Sequence, residues 1–96
     1  MPAVTRKGDD DVPHCSSMVR FGCSDNVFCN SIGISRQGDN NTTHLLPCPP
    51  ICCGHAAPIA TGSGTVKVNG KGCGRVGDYI TGCTAVAAGS ENVFAG

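Results

Sequence analysis

One phrase, occurring three times, constrains this chain more than anything else in it: Arg, any residue, Gly, Asp, and then a metal-ligating side chain six positions after the glycine. It reads Arg6-Lys7-Gly8-Asp9 with His14, Arg36-Gln37-Gly38-Asp39 with His44, and Arg75-Val76-Gly77-Asp78 with Cys83. Three distant stretches therefore deliver an imidazole or a thiol in the same local frame. His55 falls outside that phase but completes a set of His14, His44, His55 and Cys83, donors suited to a tetrahedral Zn²⁺. Within each phrase the Gly marks a turn, and the Asp after it is expected to accept nearby backbone N–H groups and fix that turn. A second role open to Asp9, Asp39 and Asp78 is to orient the imidazoles from outside the ligand shell. Arg6, Arg36 and Arg75 are candidates to pair with those carboxylates across neighbouring copies.

A second phrase interleaves with the first. Ser24-Asp-Asn-Val-Phe-Cys-Asn30, Ser63-Gly-Thr-Val-Lys-Val-Asn69 and Ser90-Glu-Asn-Val-Phe-Ala-Gly96 each read as a short strand led in by a Ser turn and ended by Asn or Gly, where the backbone can reverse. Asn30 and Asn69 each precede, by six residues, the Arg that opens the next phrase. The two phrases thus form one cycle of strand, turn, strand and ligand loop. Units of this size bury little alone and must pack on their neighbours. The expectation is an all-β domain spanning 1–96 with internal pseudo-three-fold repeats and the in-phase ligands converging near the axis.

The stretch from Leu45 to Pro58 breaks the rhythm. Pro47, Pro49 and Pro50 exclude helix and demote any strand, so this stretch is expected to be an insertion between cycles that brings His55 into play.

Composition explains why such a chain would need a staple, whether disulfides, a metal or a partner subunit. Its 96 residues include no Trp, one Tyr and three Phe, leaving few large side chains with which to fill a core. Domains this lean usually recruit a staple. The chain holds eight cysteines, at 15, 23, 29, 48, 52, 53, 73 and 83. No continuous apolar segment marks a secretory signal or a membrane span, so the protein is expected to be cytosolic when made, with no membrane anchor. Reduced thiols and metal binding then fit better than a disulfide framework, although the dense Cys48, Cys52, Cys53 cluster leaves a local disulfide open. Seven basic and seven acidic residues are scattered along the chain, which gives no positive footprint for nucleic acid.

Four protein donors close a zinc shell and leave no position for water or substrate, so the site is expected to be structural rather than enzymatic, holding one Zn²⁺. Cys15, Cys52 and Cys53 compete with Cys83 for the fourth place, and repeat phase favours Cys83. The glycine-rich run from Gly62 to Gly72 lacks the spacing of a phosphate loop. Asn40 and Asn41 head Asn-x-Thr sequons that matter only in a secreted protein. A cysteine-rich zinc store or transfer protein and a small hydrolytic zinc enzyme are the rival classes.

Taken together, the Ser-x-Asn-Val-Phe-x-Asn cycle, the Arg-x-Gly-Asp turns and the ligands that follow them resemble the PAAR-repeat proteins. These are the tip proteins of type VI secretion spikes and of related contractile phage tails. The resemblance runs from Pro2-Ala3 and Arg6-Lys-Gly-Asp9 to Gly89-Ser-Glu-Asn-Val-Phe-Ala-Gly96. It implies a small cone-shaped β structure whose pseudo-three-fold base docks, one tip per trimer, on the blunt end of a trimeric β-helical spike. It also implies one zinc near the apex, held by three His and one Cys, here His14, His44, His55 and Cys83. The protein would then be a bare tip without a toxin domain, carried on a virion tail or secretion spike and delivered across the target envelope. The sequence departs from the family pattern in its additional cysteines. It departs again at Ser31, Gly33-Ile34-Ser35 and Gly72-Cys73-Gly74, where the family usually shows Gly-Lys-Pro-Ala-Ala before the Arg.

Overall fold

Turns rather than long strands set the architecture. A computed structural model describes residues 1–13, 16–48 and 51–96, with the backbone alone for 45–48 and 51–53. Among the described residues there is no helix, and the all-β fold is carried by short strands. These are β1 (Phe28–Cys29), β2 (Ile32–Gly33), β3 (His44–Cys48), β4 (Ile51–His55), β5 (Lys67–Val68) and β6 (Lys71–Gly72). They pair antiparallel as β1–β2, β3–β4 and β5–β6, and isolated bridges between residues outside these strands link the segments that flank them.

Each Arg-x-Gly-Asp phrase folds into a clip. Gly8, Gly38 and Gly77 have φ of 90°, 91° and 91°, a conformation that a Cβ would strain. The turn so formed lets one carboxylate oxygen accept the backbone N–H of the Arg three residues earlier. The distance is 2.8 Å for Asp9 with Arg6, 2.8 Å for Asp39 with Arg36 and 2.7 Å for Asp78 with Arg75. The same oxygen accepts the guanidinium Nε–H of that Arg at 2.9, 2.8 and 3.2 Å. The ion pairs therefore close within a phrase and not across neighbouring copies, because the turn already brings both partners to one side. These hydrogen bonds to Asp raise the pKa of each guanidinium above its ordinary value.

The Ser-led phrases are organised just as locally. Ser24, Ser63 and Ser90 are buried, and each hydroxyl oxygen accepts N–H bonds from the residues two and three places on. Each hydroxyl then donates to the end of another such phrase: Ser24 to Asn69 Oδ1 at 2.6 Å, Ser90 to Asn30 Oδ1 at 2.6 Å, and Ser63 to the Gly96 carbonyl. In two of these phrases a hairpin follows, β1–β2 through Asn30-Ser31 and β5–β6 through Asn69-Gly70. In the third, Phe94 near one end of the chain pairs with Ala3 near the other. Cys29, Val68 and Ala95 occupy the same place in their phrases, and they pack with Val4, Ile34 and Cys73 into one apolar cluster. Cys29 and Cys73 are free thiols used as small core residues, and burial pushes the Cys73 thiol above its ordinary pKa.

Both two-residue turns hold positive φ at both positions, 54° and 65° at Asn30-Ser31 and 54° and 78° at Asn69-Gly70, the type I′ arrangement that favours Asn-Gly. Ser31 therefore carries a strain that Gly70 does not. Ser31→Gly is expected to raise stability by about 1 kcal/mol, read as a shifted denaturant midpoint. An unchanged midpoint would mean that the Ser31 side chain makes a compensating contact.

The proline-rich stretch departs from expectation. Instead of an irregular insertion it contains the two longest strands, β3 and β4, with Pro47 opposite Cys52 in the ladder. The physical reason is that a two-stranded ladder has two free edges. A residue whose backbone nitrogen faces such an edge donates to nothing in the ladder, so a proline there forfeits no hydrogen bond.

A second apolar cluster of Ala57, Ile59, Ile80 and Val86 packs against Cys83. Beside it lies a buried polar group built on Arg20, Asp11 and Asn41. The Arg20 guanidinium, 0% exposed, donates to Asp11 Oδ2 at 3.1 Å and to the Asp39 carbonyl at 2.8 Å. Asn41 joins it by donating to Asp11 Oδ2 at 3.2 Å.

Candidate metal centre

The register of the longest hairpin builds the site. β3 opens at His44 and β4 closes at His55, and the two are direct partners in the ladder, so both imidazoles leave the chain at the root of one hairpin. Their ring centroids lie 4.4 Å apart at an interplanar angle of 69°. Cys83 arrives from a separate turn. Tyr79 pairs with Ala85, Gly82 takes a φ of 60°, and the Cys83 N–H donates to the Ile80 carbonyl at 3.0 Å. That tight reversal presents the sulfur to the imidazoles.

His44 Nε2 lies 3.2 Å from Cys83 Sγ, and one donor atom from each of His44, His55 and Cys83 falls within 4.8 Å of the others. Ligands on a tetrahedral zinc, at metal distances of about 2.0–2.3 Å, stand about 3.5 Å apart, so this spacing fits a shared ion after small side-chain adjustments. The tautomer of His44 fits as well. Its Nδ1 is 2.7 Å from the Thr42 carbonyl, which can only accept, so Nδ1 carries the proton and Nε2 turns its lone pair toward the sulfur. Burial pushes the Cys83 thiol above its ordinary pKa, while a hydrogen bond from Asn41 acts in the opposite direction. A cation among these donors would favour the thiolate.

The structure thus brings together His44, His55 and Cys83 as a cluster able to hold a metal ion. His14, the first in-phase ligand, lies outside the described residues, as does Cys15. The side chains of Cys48, Cys52 and Cys53 also lie outside the described part, so the local alternatives built on them are not placed. Asp9, Asp39 and Asp78 are engaged with the Arg of their own turns. The group that orients His44 is the Thr42 carbonyl. No residue type can signal a backbone acceptor.

Asp11, Arg20 and Asn41 were also missed. For two of them a signal existed: Asp11, Asn41 and Ile80 each stand three residues after the turn glycine, and all three are buried. That phase marks an inward-facing position three residues before each in-phase ligand. A comparison with models of protein families and another with curated proteins each return no match to this chain. Fold and site together define a small all-β domain with a His/His/Cys cluster able to hold a metal ion.

Proposed function

We propose that the protein is a structural, zinc-stapled tip that caps a trimeric β-helical spike of a contractile injection machine, in the manner of the PAAR-repeat proteins it resembles. The observation that carries this reading is the closed ring of hydrogen bonds in which Ser24 reaches Asn69, Ser63 reaches Gly96 and Ser90 reaches Asn30. Three segments of one chain each hold another in the same way, as expected of internal repeats around a pseudo-three-fold axis. The extents of 41 × 23 × 23 Å, one long axis and two equal short ones, accord with such an axis along the length of a cone.

Phe28 and Phe94, Val66 and Val93 occupy matching places in the Ser-led phrases and are exposed. These positions supply an apolar base. A trimeric β-helix ends in unpaired strand edges that need covering, and a cap of matching symmetry covers all of them with one chain. His14 completes the zinc shell with His44, His55 and Cys83, which closes the site and makes the ion a staple rather than a catalyst. The rival metal-store reading needs several exchangeable sites. Cys29 and Cys73 instead fill the core, and among the described residues one His/Cys cluster is suited to a metal. On this reading the protein is made in the cytoplasm and works at the distal end of a spike driven through a target envelope.

Mixing the protein with a trimeric β-helical spike and weighing the complex by native mass spectrometry tests the proposal. One chain per trimer is expected. Three chains per trimer, or no complex with any such spike, would remove the capping role.

A further inference from the structure

We propose that Asn41 is a positioning residue of the metal centre: its carboxamide donates an N–H to the Cys83 sulfur and holds that sulfur facing the imidazoles. This rests on reading His44, His55 and Cys83 as metal ligands. Asn41 is 2% exposed, and an amide so buried is costly unless its polar atoms find partners. Its Oδ1 accepts the Ala57 N–H at 2.9 Å, and its Nδ2 donates to Asp11 Oδ2 at 3.2 Å. Nδ2 carries two hydrogens, and Cys83 Sγ, 4.0 Å away at the long end of an N–H···S contact, is within reach of the second.

The surroundings permit no other orientation. A flipped amide would set Oδ1 against the Asp11 carboxylate, an acceptor, and would aim Nδ2 at the Ala57 N–H, a donor. Asp11 is itself fixed by Arg20, whose Nη1 donates to it at 3.1 Å and whose Nη2 is anchored on the Asp39 carbonyl at 2.8 Å. A chain of contacts thus runs from Arg20 through Asp11 and Asn41 to Cys83. The matching place in the third phrase holds Ile80, fully buried and packed in the apolar cluster against Cys83. An aliphatic side chain satisfies that position sterically, so shape alone does not call for an amide at 41. A donor to a metal-bound thiolate spreads its charge and fixes its direction, and loss of such outer partners typically costs about 10–100-fold in metal affinity.

Two measurements decide the matter. In the unaltered chain loaded with cadmium-113, the Asn41 side-chain amide proton is expected to show scalar coupling to the metal through the sulfur. A loaded protein without that coupling overturns the assignment. In chelator-competition titrations with Zn²⁺, Asn41→Leu is expected to weaken binding by about 10–100-fold, but to have little effect in a Cys83→His background, where no sulfur remains to receive the N–H. An equal loss in both backgrounds would mean that Asn41 serves the fold alone. Should Asn41→Leu fail to fold, the cadmium measurement on the unaltered chain still decides. A chain that binds neither ion removes the metal reading itself, and the role of Asn41 with it.

Discussion

Stripping metal from the protein is expected to unfold it, not merely to loosen one end. A domain of this size has a net stability of roughly 5–15 kcal/mol, whereas a structural zinc in a small peptide contributes about 10–16 kcal/mol of apparent binding energy at neutral pH. The core offers little in reserve, since its two apolar clusters are made of Val, Ile, Ala and Cys without one aromatic ring. His44 and His55 close the root of the β3–β4 hairpin, while Cys83 belongs to a turn 28 residues beyond His55. An ion held by these three would tie a hairpin to a distant loop, and its removal would release both. Circular dichroism during chelation, followed by metal re-addition, should show loss and recovery of the β signal, and Cys83→Ser should behave as the chelated protein does. Identical melting temperatures with and without metal would show that the cluster does not staple the fold.

What could be read in advance follows from where each interaction lives. The Asp-to-backbone turns of the Arg-x-Gly-Asp phrases and the Ser-led turns were legible because donor and acceptor lie within three residues of one another, so local order encodes them. His44 and Cys83 were legible for another reason: a repeated phrase places equivalent residues in equivalent positions, whereas His55, outside that phase, was legible because the side chains that can bind a metal belong to few residue types. The direction of the Arg–Asp pairing was misjudged because the turn brings the Arg back onto its own Asp, a geometric fact that spacing does not show. The β3–β4 ladder was not legible because proline excludes a strand inside a sheet, while a two-stranded ribbon has only edges. Arg20 with Asp11 was missed entirely. The phase that Asp11 shares with Asn41 and Ile80 marks it as inward-facing, but Arg20, nine residues on, stands at no repeated position, and charged residues are so commonly exposed that nothing around it signals burial.

That same pair should give the largest effect of any single substitution away from the metal ligands. Arg20→Met is expected to destabilise the protein by about 3–5 kcal/mol, because it leaves the Asp11 carboxylate buried without its counter-charge. The loss is specific to the carboxylate. The Asp39 carbonyl, which also accepts from Arg20, keeps the Ile59 N–H at 3.1 Å, whereas among the described residues the Asp11 carboxylate keeps the Asn41 amide alone. Burial already pushes the Asp11 carboxyl above its ordinary pKa, against the opposing influence of Arg20, so removing the guanidinium drives the pKa higher still. The sign of the pH dependence follows. A carboxyl whose folded pKa is raised favours the fold while protonated and loses that contribution as pH rises through the folded value. Arg20→Met should therefore be least damaging in acid and most damaging at neutral pH. The double variant Asp11→Leu with Arg20→Met removes both charges and should recover most of the loss, since replacing a buried ion pair with apolar side chains of similar volume is often neutral or favourable. Denaturant titrations of both variants at two pH values supply the check. If the double variant is no more stable than Arg20→Met alone, the cost lies in lost packing around the guanidinium stem and not in the stranded charge.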